Sequence, residues 1–140
     1  MDYTITPHES LGNIPFGLHR NEIRKLLKEP NIEFYRNQFS KTPTDFFENL
    51  GIFIAYDEDF LCEAIEIVKP ANPILFTIEL LNLPYASAEE QIAEWDDGLE
   101  IMYTGFTSYK LGVGVYAPNR DDSPNEVSES VIVFKKGYYD

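Results

Sequence analysis

The stretch LGIFIAY (residues 50–56) returns as LGVGVYA (111–117), and this recurrence constrains the fold more than any other feature. Each copy follows a polar segment rich in Tyr or Phe and precedes an acidic loop. Each loop leads into a second apolar run, CEAIEIV (62–68) or SVIVF (130–134). Both copies read as β-hairpins, with the apolar residues of GIFIAY on both faces marking a strand inside a sheet. Leu50 aligns with Leu111, Gly51 with Gly112, Ile52 with Val113 and Ile54 with Val115. In the returning strands Ile65 aligns with Val131 and Ile67 with Val133.

Two helices are expected around these hairpins. NEIRKLLKE (21–29) has Asn21 as a cap, Ile23, Leu26 and Leu27 on one face, and Arg24, Lys25 and Lys28 pointing away; Pro30 forbids its continuation. SAEEQIAEW (87–95) opens with a Ser87–Glu90 capping box, places Ala88, Ile92 and Trp95 on one face, and ends at Asp96-Asp97-Gly98. Further strands are expected near 3–6, 33–39, 74–80 and 99–103. Gly114, inside a strand pattern, suggests a bulge or the close approach of a helix. The expected fold is α+β: a curved antiparallel sheet of six to eight strands from two pseudo-repeated β-α-β-β-β halves, with two covering helices. A single domain spans 1–140, with halves about 1–70 and 71–140.

Composition bounds the chemistry. A chain of 140 residues is long enough to bury a core unaided. Its one cysteine, Cys62, excludes an intrachain disulfide and a cysteine-based zinc site. MDYTITPHES has no basic and apolar leader, and no apolar run is long enough to cross a bilayer, so a cytoplasmic protein without membrane contact is expected. The net charge is −13 and unevenly placed: residues 20–41 sum to +3, residues 57–100 to −11. Such a field repels nucleic acid and attracts basic partners. The basic segment, interleaved with Phe34, Tyr35 and Phe39, has ingredients of a nucleic-acid surface, but six cations against that net charge argue against one.

No catalytic constellation emerges. Cys62, in or beside a strand, reads as a small buried hydrophobe, and nothing around it or around His8 and His19 resembles an activated nucleophile. Asp57, Asp59 and Glu63 superficially resemble an oxygen-ligand cluster but lack the loop length and glycine of a calcium site, and Asp121-Asp122 is a similar weak case. Acidic turns explain both. Phosphate-binding glycine motifs are absent, and neither cofactor nor metal is expected.

The segments LGVGVYAPN, ESVIVF and GYYD resemble small bacterial proteins of uncharacterised families, a resemblance that implies no activity. The order Phe16-Gly17-Leu18, helix, Glu29-Pro30, strands is similar to the helix-and-meander unit of the small outer-membrane-assembly lipoprotein family, without that family's lipoprotein signal and cysteine. It bears on fold alone.

What remains is surface character. Twenty aromatic residues, nine of them Tyr, exceed what one core requires. The expected function is a non-enzymatic binding module that captures a basic protein through an acidic, aromatic surface, as an immunity or antitoxin-type protein would. Its candidate contact residues are Asp57, Glu58, Asp59, Asp96, Asp97, Tyr103, Phe106, Tyr109, Asp121 and Asp122. The alternative is a small-molecule pocket between helix and sheet, lined by aromatics such as Phe53, Trp95 and Tyr116. The chain itself is expected to be a monomer or weak homodimer.

Overall fold

A computed structural model describes residues 1–140. In chain order it contains β1 (Ile5–Thr6), β2 (Ser10–Leu11), β3 (Ile14–Pro15), α1 (Arg20–Leu27), β4 (Ile32–Phe34), β5 (Thr44–Phe47), β6 (Ile52–Tyr56) and β7 (Cys62–Val68). Then follow β8 (Ile74–Leu75), β9 (Ile78–Glu79), α2 (Tyr85–Ala93), β10 (Glu100–Met102), β11 (Gly105–Ser108), β12 (Val113–Tyr116) and β13 (Ser130–Phe134). The main sheet has eight strands in the order β10-β11-β12-β13-β7-β6-β5-β4, all neighbours antiparallel. Of two small sheets, β1-β2-β3 precedes α1 and β8-β9 precedes α2. The fold is α+β, as the alternation of sequence patterns predicts.

One face of the large sheet carries the core. Ile52, Ile54, Ile65, Ile67, Val113, Val115, Val131 and Val133 are buried there with Ile23 of α1, Ala88 and Ile92 of α2, and apolar residues of both small sheets. Neither helix lies on the opposite face. Burial alternates along β6 accordingly, with Ile52, Ile54 and Tyr56 buried and Phe53 and Ala55 only half-buried. GIFIAY is therefore apolar on both sides although only one side is sealed.

The strand order places β7 against β13 at the middle of the sheet, with the pair Glu66↔Ile132 central to their five-pair register. Outward on either side the pairings correspond. Ile54 faces Ile65 as Val115 faces Val131, and Phe47 faces Ile52 as Ser108 faces Val113. Gly51 and Gly112 share φ 69°, and their carbonyls accept the amides of Val68 (2.8 Å) and Phe134 (3.0 Å).

Local structure departs from the sequence reading in several places. α1 begins one residue early because the ring Nδ1 of His19, not Asn21, caps it, accepting the Asn21 amide at 3.0 Å. It stops at Leu27, with Lys28 in the left-handed region. Leu26 is exposed, and Arg24 turns inward toward the sheet. α2 also starts early, and the Ser87–Glu90 box does not cap it. Its first amides, Tyr85 and Ala86, donate instead to the carbonyls of Glu126 (2.8 Å) and Pro124 (3.0 Å). Trp95 lies beyond the helix, 49% exposed and packed on Phe76 at 4.4 Å between ring centroids, so it is not a core residue. The expected strand 74–80 is broken at Phe76 and Thr77, whose positive φ angles (50° and 75°) reverse the chain. Residues 35–39 lie outside β4. Gly114 keeps regular register; a Cβ there would meet the Ile132 Cγ2 at 2.9 Å, so the close approach is to a neighbouring strand, and the bulge falls at Ala55/Tyr56.

Candidate functional site: the uncovered face of the sheet

The face of the sheet away from the helices is shaped by side-chain size. Across its centre runs the row Phe46–Phe53–Glu66–Ile132–Gly114–Thr107, one residue from each of six neighbouring strands. Ala55 and Ala64 pair on one side of that row, and Tyr116 and Ser130 on the other. Small residues on the floor with large ones at the rim leave a cavity of about 280 Å³, lined by Phe53, Met102, Tyr116, Ile132 and Tyr138 among others. Pockets of this kind, mostly apolar with a few polar groups, are where ligands and partner side chains bind.

Two charged groups meet there. The Glu66 carboxylate accepts hydrogen bonds from the Arg36 guanidinium at 3.1 Å and the Ser130 hydroxyl at 3.0 Å. Arg36 also lies over the Phe53 ring, 5.4 Å from its centroid, and near Phe34 at 5.9 Å. Phe53 is stacked on Phe46 with centroids 4.1 Å apart and an interplanar angle of 13°. Arg36 thus sits on a fixed aromatic platform, an arrangement that favours a cation beyond its ion pair. Burial pushes the Tyr138 hydroxyl above its usual value, and burial also raises Glu63 nearby.

A second cavity of about 420 Å³ adjoins the first and shares Arg36, Ala55 and Tyr138 as walls. Its other walls include Phe39, Lys41, Asp57, Glu58 and Glu63. The two share these walls and are together called the trough.

The residues expected to bind a partner do not converge on one patch. β7 and β13 run antiparallel, so the turn before β7 and the loop before β13 lie at opposite ends of the sheet. Asp57, Glu58 and Asp59 occupy the first end. Asp57 Oδ1 accepts the amides of Asp59 (2.9 Å) and Leu61 (3.0 Å), which makes it a turn former, while Glu58 pairs with Lys41. Asp121, paired with Arg120 at 2.8 Å, and the exposed Asp122 occupy the other end. Tyr103, 83% exposed, lies at that end as well, in the turn between β10 and β11. Tyr109 is exposed and donates to Glu100 at 3.0 Å.

Two of the ten are interior. Phe106, 1% exposed, packs on Tyr85 of α2 with ring centroids 6.0 Å apart, because its strand position points to the core face. Asp96 is buried and accepts the Ser108 hydroxyl (2.7 Å) and the Gly98 amide (2.8 Å), closing the α2 exit; Asp97 beside it is exposed. Of the aromatics expected between helix and sheet, Phe53 and Tyr116 do line one cavity, but on the opposite face and without Trp95.

A second polar cluster was not foreseen. Asp45 of β5, 0% exposed, takes a two-pronged ion pair from Arg24 (2.6 and 3.1 Å), the Tyr56 hydroxyl (2.7 Å) and the Asn31 amide group (3.2 Å). The hydrogen bond to Asp45 raises the Arg24 guanidinium, and burial followed by the same carboxylate raises the Tyr56 hydroxyl. The cluster ties α1 to the sheet. Cys62 is buried, and burial pushes its thiol up to about 12, with Glu63 adding to the rise. No three His, Cys, Asp or Glu side chains come together as a metal-binding group. No helix is long and apolar enough to cross a membrane.

No protein-family model matches the chain, and neither a curated protein nor a solved structure matches it.

Proposed function

We propose that the chain is a non-enzymatic binding module that captures a basic protein partner on the uncovered face of its large sheet. One observation carries this reading: the aromatic trough around Glu66, on a face that neither helix covers, in a chain of net charge −13. Aromatic residues around a partly desolvated ion pair are the composition of interface centres, and the surrounding negative field speeds encounter with a cationic partner. An immunity or antitoxin-type inhibitor of a cationic enzyme is the concrete version. The test is a pull-down from the native host at low and moderate salt, with wild-type protein and a Tyr116→Arg variant that fills the trough with like charge. Recovery of a basic protein by wild type alone, weakening with salt, is expected. Recovery of no basic protein at either salt sinks the reading.

A second reading, a small-molecule site, is favoured by the cavity of about 280 Å³ itself, which lies near the lower limit for such pockets.

The sheet is, in the same reading, two copies of one helix-and-meander unit joined at β7 and β13. The matched pairing registers, and the shared φ of Gly51 and Gly112 with their equivalent amide partners, support it. The binding face is then where the copies have diverged: the positions of Phe46 and Phe53 in one are those of Thr107 and Gly114 in the other.

A further inference from the structure

We infer that the trough is a receptor for an extended, arginine-bearing segment of a protein partner, and that Arg36 occupies the arginine position while the partner is absent. This rests on the binding-module reading above and specifies its ligand.

The argument starts from Arg36. It belongs to a segment without regular secondary structure between β4 and β5, and its side chain is about half-exposed. Its guanidinium nevertheless sits where a bound cation would: over Phe53, and 3.1 Å from the Glu66 carboxylate. Glu66 is fixed by the Ser130 hydroxyl of the neighbouring strand, and Tyr116 and Tyr138 stand at the rim. A planar guanidinium suits such a site better than an ammonium, because it stacks on a ring and pairs with a carboxylate at once.

Charge and shape choose the occupant. Glu66, Glu63, Asp57 and Glu58 line the trough against Arg36 and Lys41, an acidic balance that an anionic ligand would oppose. The floor is narrow and apolar at Ala55 and Ala64, and the two adjoining cavities, about 280 and 420 Å³, exceed the volume of one side chain. An extended strand fills such a trough, with one arginine at Glu66 and flanking cations toward Glu63 and Asp57. Displacing Arg36 costs the protein a half-exposed ion pair and its place over Phe53, and a partner's arginine restores both, so the exchange is inexpensive.

The test measures binding of a fluorescent octa-arginine peptide, with octa-lysine and octa-glutamate as comparisons, at low and moderate salt. Octa-arginine should bind more tightly than octa-lysine, and octa-glutamate not at all. Glu66→Gln, which keeps the Ser130 contact, should weaken binding about tenfold. Arg36→Ala should strengthen it several-fold, and Lys25→Ala, which removes an equal charge from the far face of α1, should strengthen it less. Equal affinities in wild type, Glu66→Gln and Arg36→Ala, with loss only when Asp121 and Asp122 are neutralised, overturn the trough but leave an acidic binding surface standing. Competition by free arginine amide at the peptide's own affinity overturns the extended ligand in favour of a small-molecule site. Absence of binding to either cationic peptide overturns both this inference and the reading beneath it.

Discussion

Gly51 and Gly112 hold the left-handed conformation at the same point before their strands, and neither has room for a side chain. A Cβ on Gly51 would meet the Val68 carbonyl oxygen at 2.6 Å; on Gly112 it would meet the Phe134 carbonyl oxygen and the His8 ring, each at 2.8 Å. Replacing either with Ala should destabilise the fold by about 1–3 kcal/mol, more at Gly112, as urea unfolding would measure. Asp45 is the other residue on which much depends. Asp45→Ala would leave the Tyr56 hydroxyl and Arg24 without their acceptor, at a cost of about 2–4 kcal/mol, reduced because Arg24 can still reach water. Cys62 gives a pH prediction. Its thiol is raised from an ordinary 9.0 to about 12, so the folded state favours the neutral form. The stability this represents is complete below pH 9 and drains away as pH rises toward 12. Unfolding curves of wild type and Cys62→Ala should therefore converge in this alkaline range, and a thiol reagent at neutral pH should modify Cys62 only after unfolding.

At the level of elements, the four inner strands were legible from the sequence because their apolar runs are long and their partners recur. β5 and β11 were not. Their motifs, TDFF and GFTS, carry Asp45, Thr107 and Ser108, whose burial depends on partners distant in sequence: Arg24 for the first, Asp96 for the last. The start of α2 shifted for a similar reason. Tertiary carbonyls from the loop before β13 satisfied the first α2 amides, so the local Ser87 signal was not needed. The trough escaped sequence reading because it is made by small side chains, at Ala55 and Ala64, on a face whose covering cannot be inferred from periodicity. Phe53 and Tyr116 carry an aromatic signal that the sequence shows, whereas nothing local marks Glu66, whose partners Arg36 and Ser130 are 30 and 64 residues away. The outer strands are short, as befits sheet edges. Ile101 of β10 is exposed at one edge, and Ile101→Lys should leave stability within about 0.5 kcal/mol while lowering any concentration-dependent association seen by light scattering.

For the molecule as a whole, charge is the dominant variable. With a net charge of −13 on 140 residues, the folded state works against its own repulsion. Moderate salt should raise the melting temperature by roughly a few degrees, by screening carboxylates that have no cation near them. That stabilisation and the proposed capture respond to salt in opposite senses, so the two can be separated in one titration. Sequence-level charge foretold the sign of this field, but not that its acidic loops stand at opposite ends of the sheet. The seam between β7 and β13 has a further consequence. It is one antiparallel ladder with apolar residues packed behind it, and the chain crosses between its two sides through the exposed Lys69-Pro70. A break at that point would sever a surface connection and no core element. Residues 1–69 and 70–140, produced as separate polypeptides, should find each other and restore the sheet, turning this small protein into a two-piece reporter of proximity.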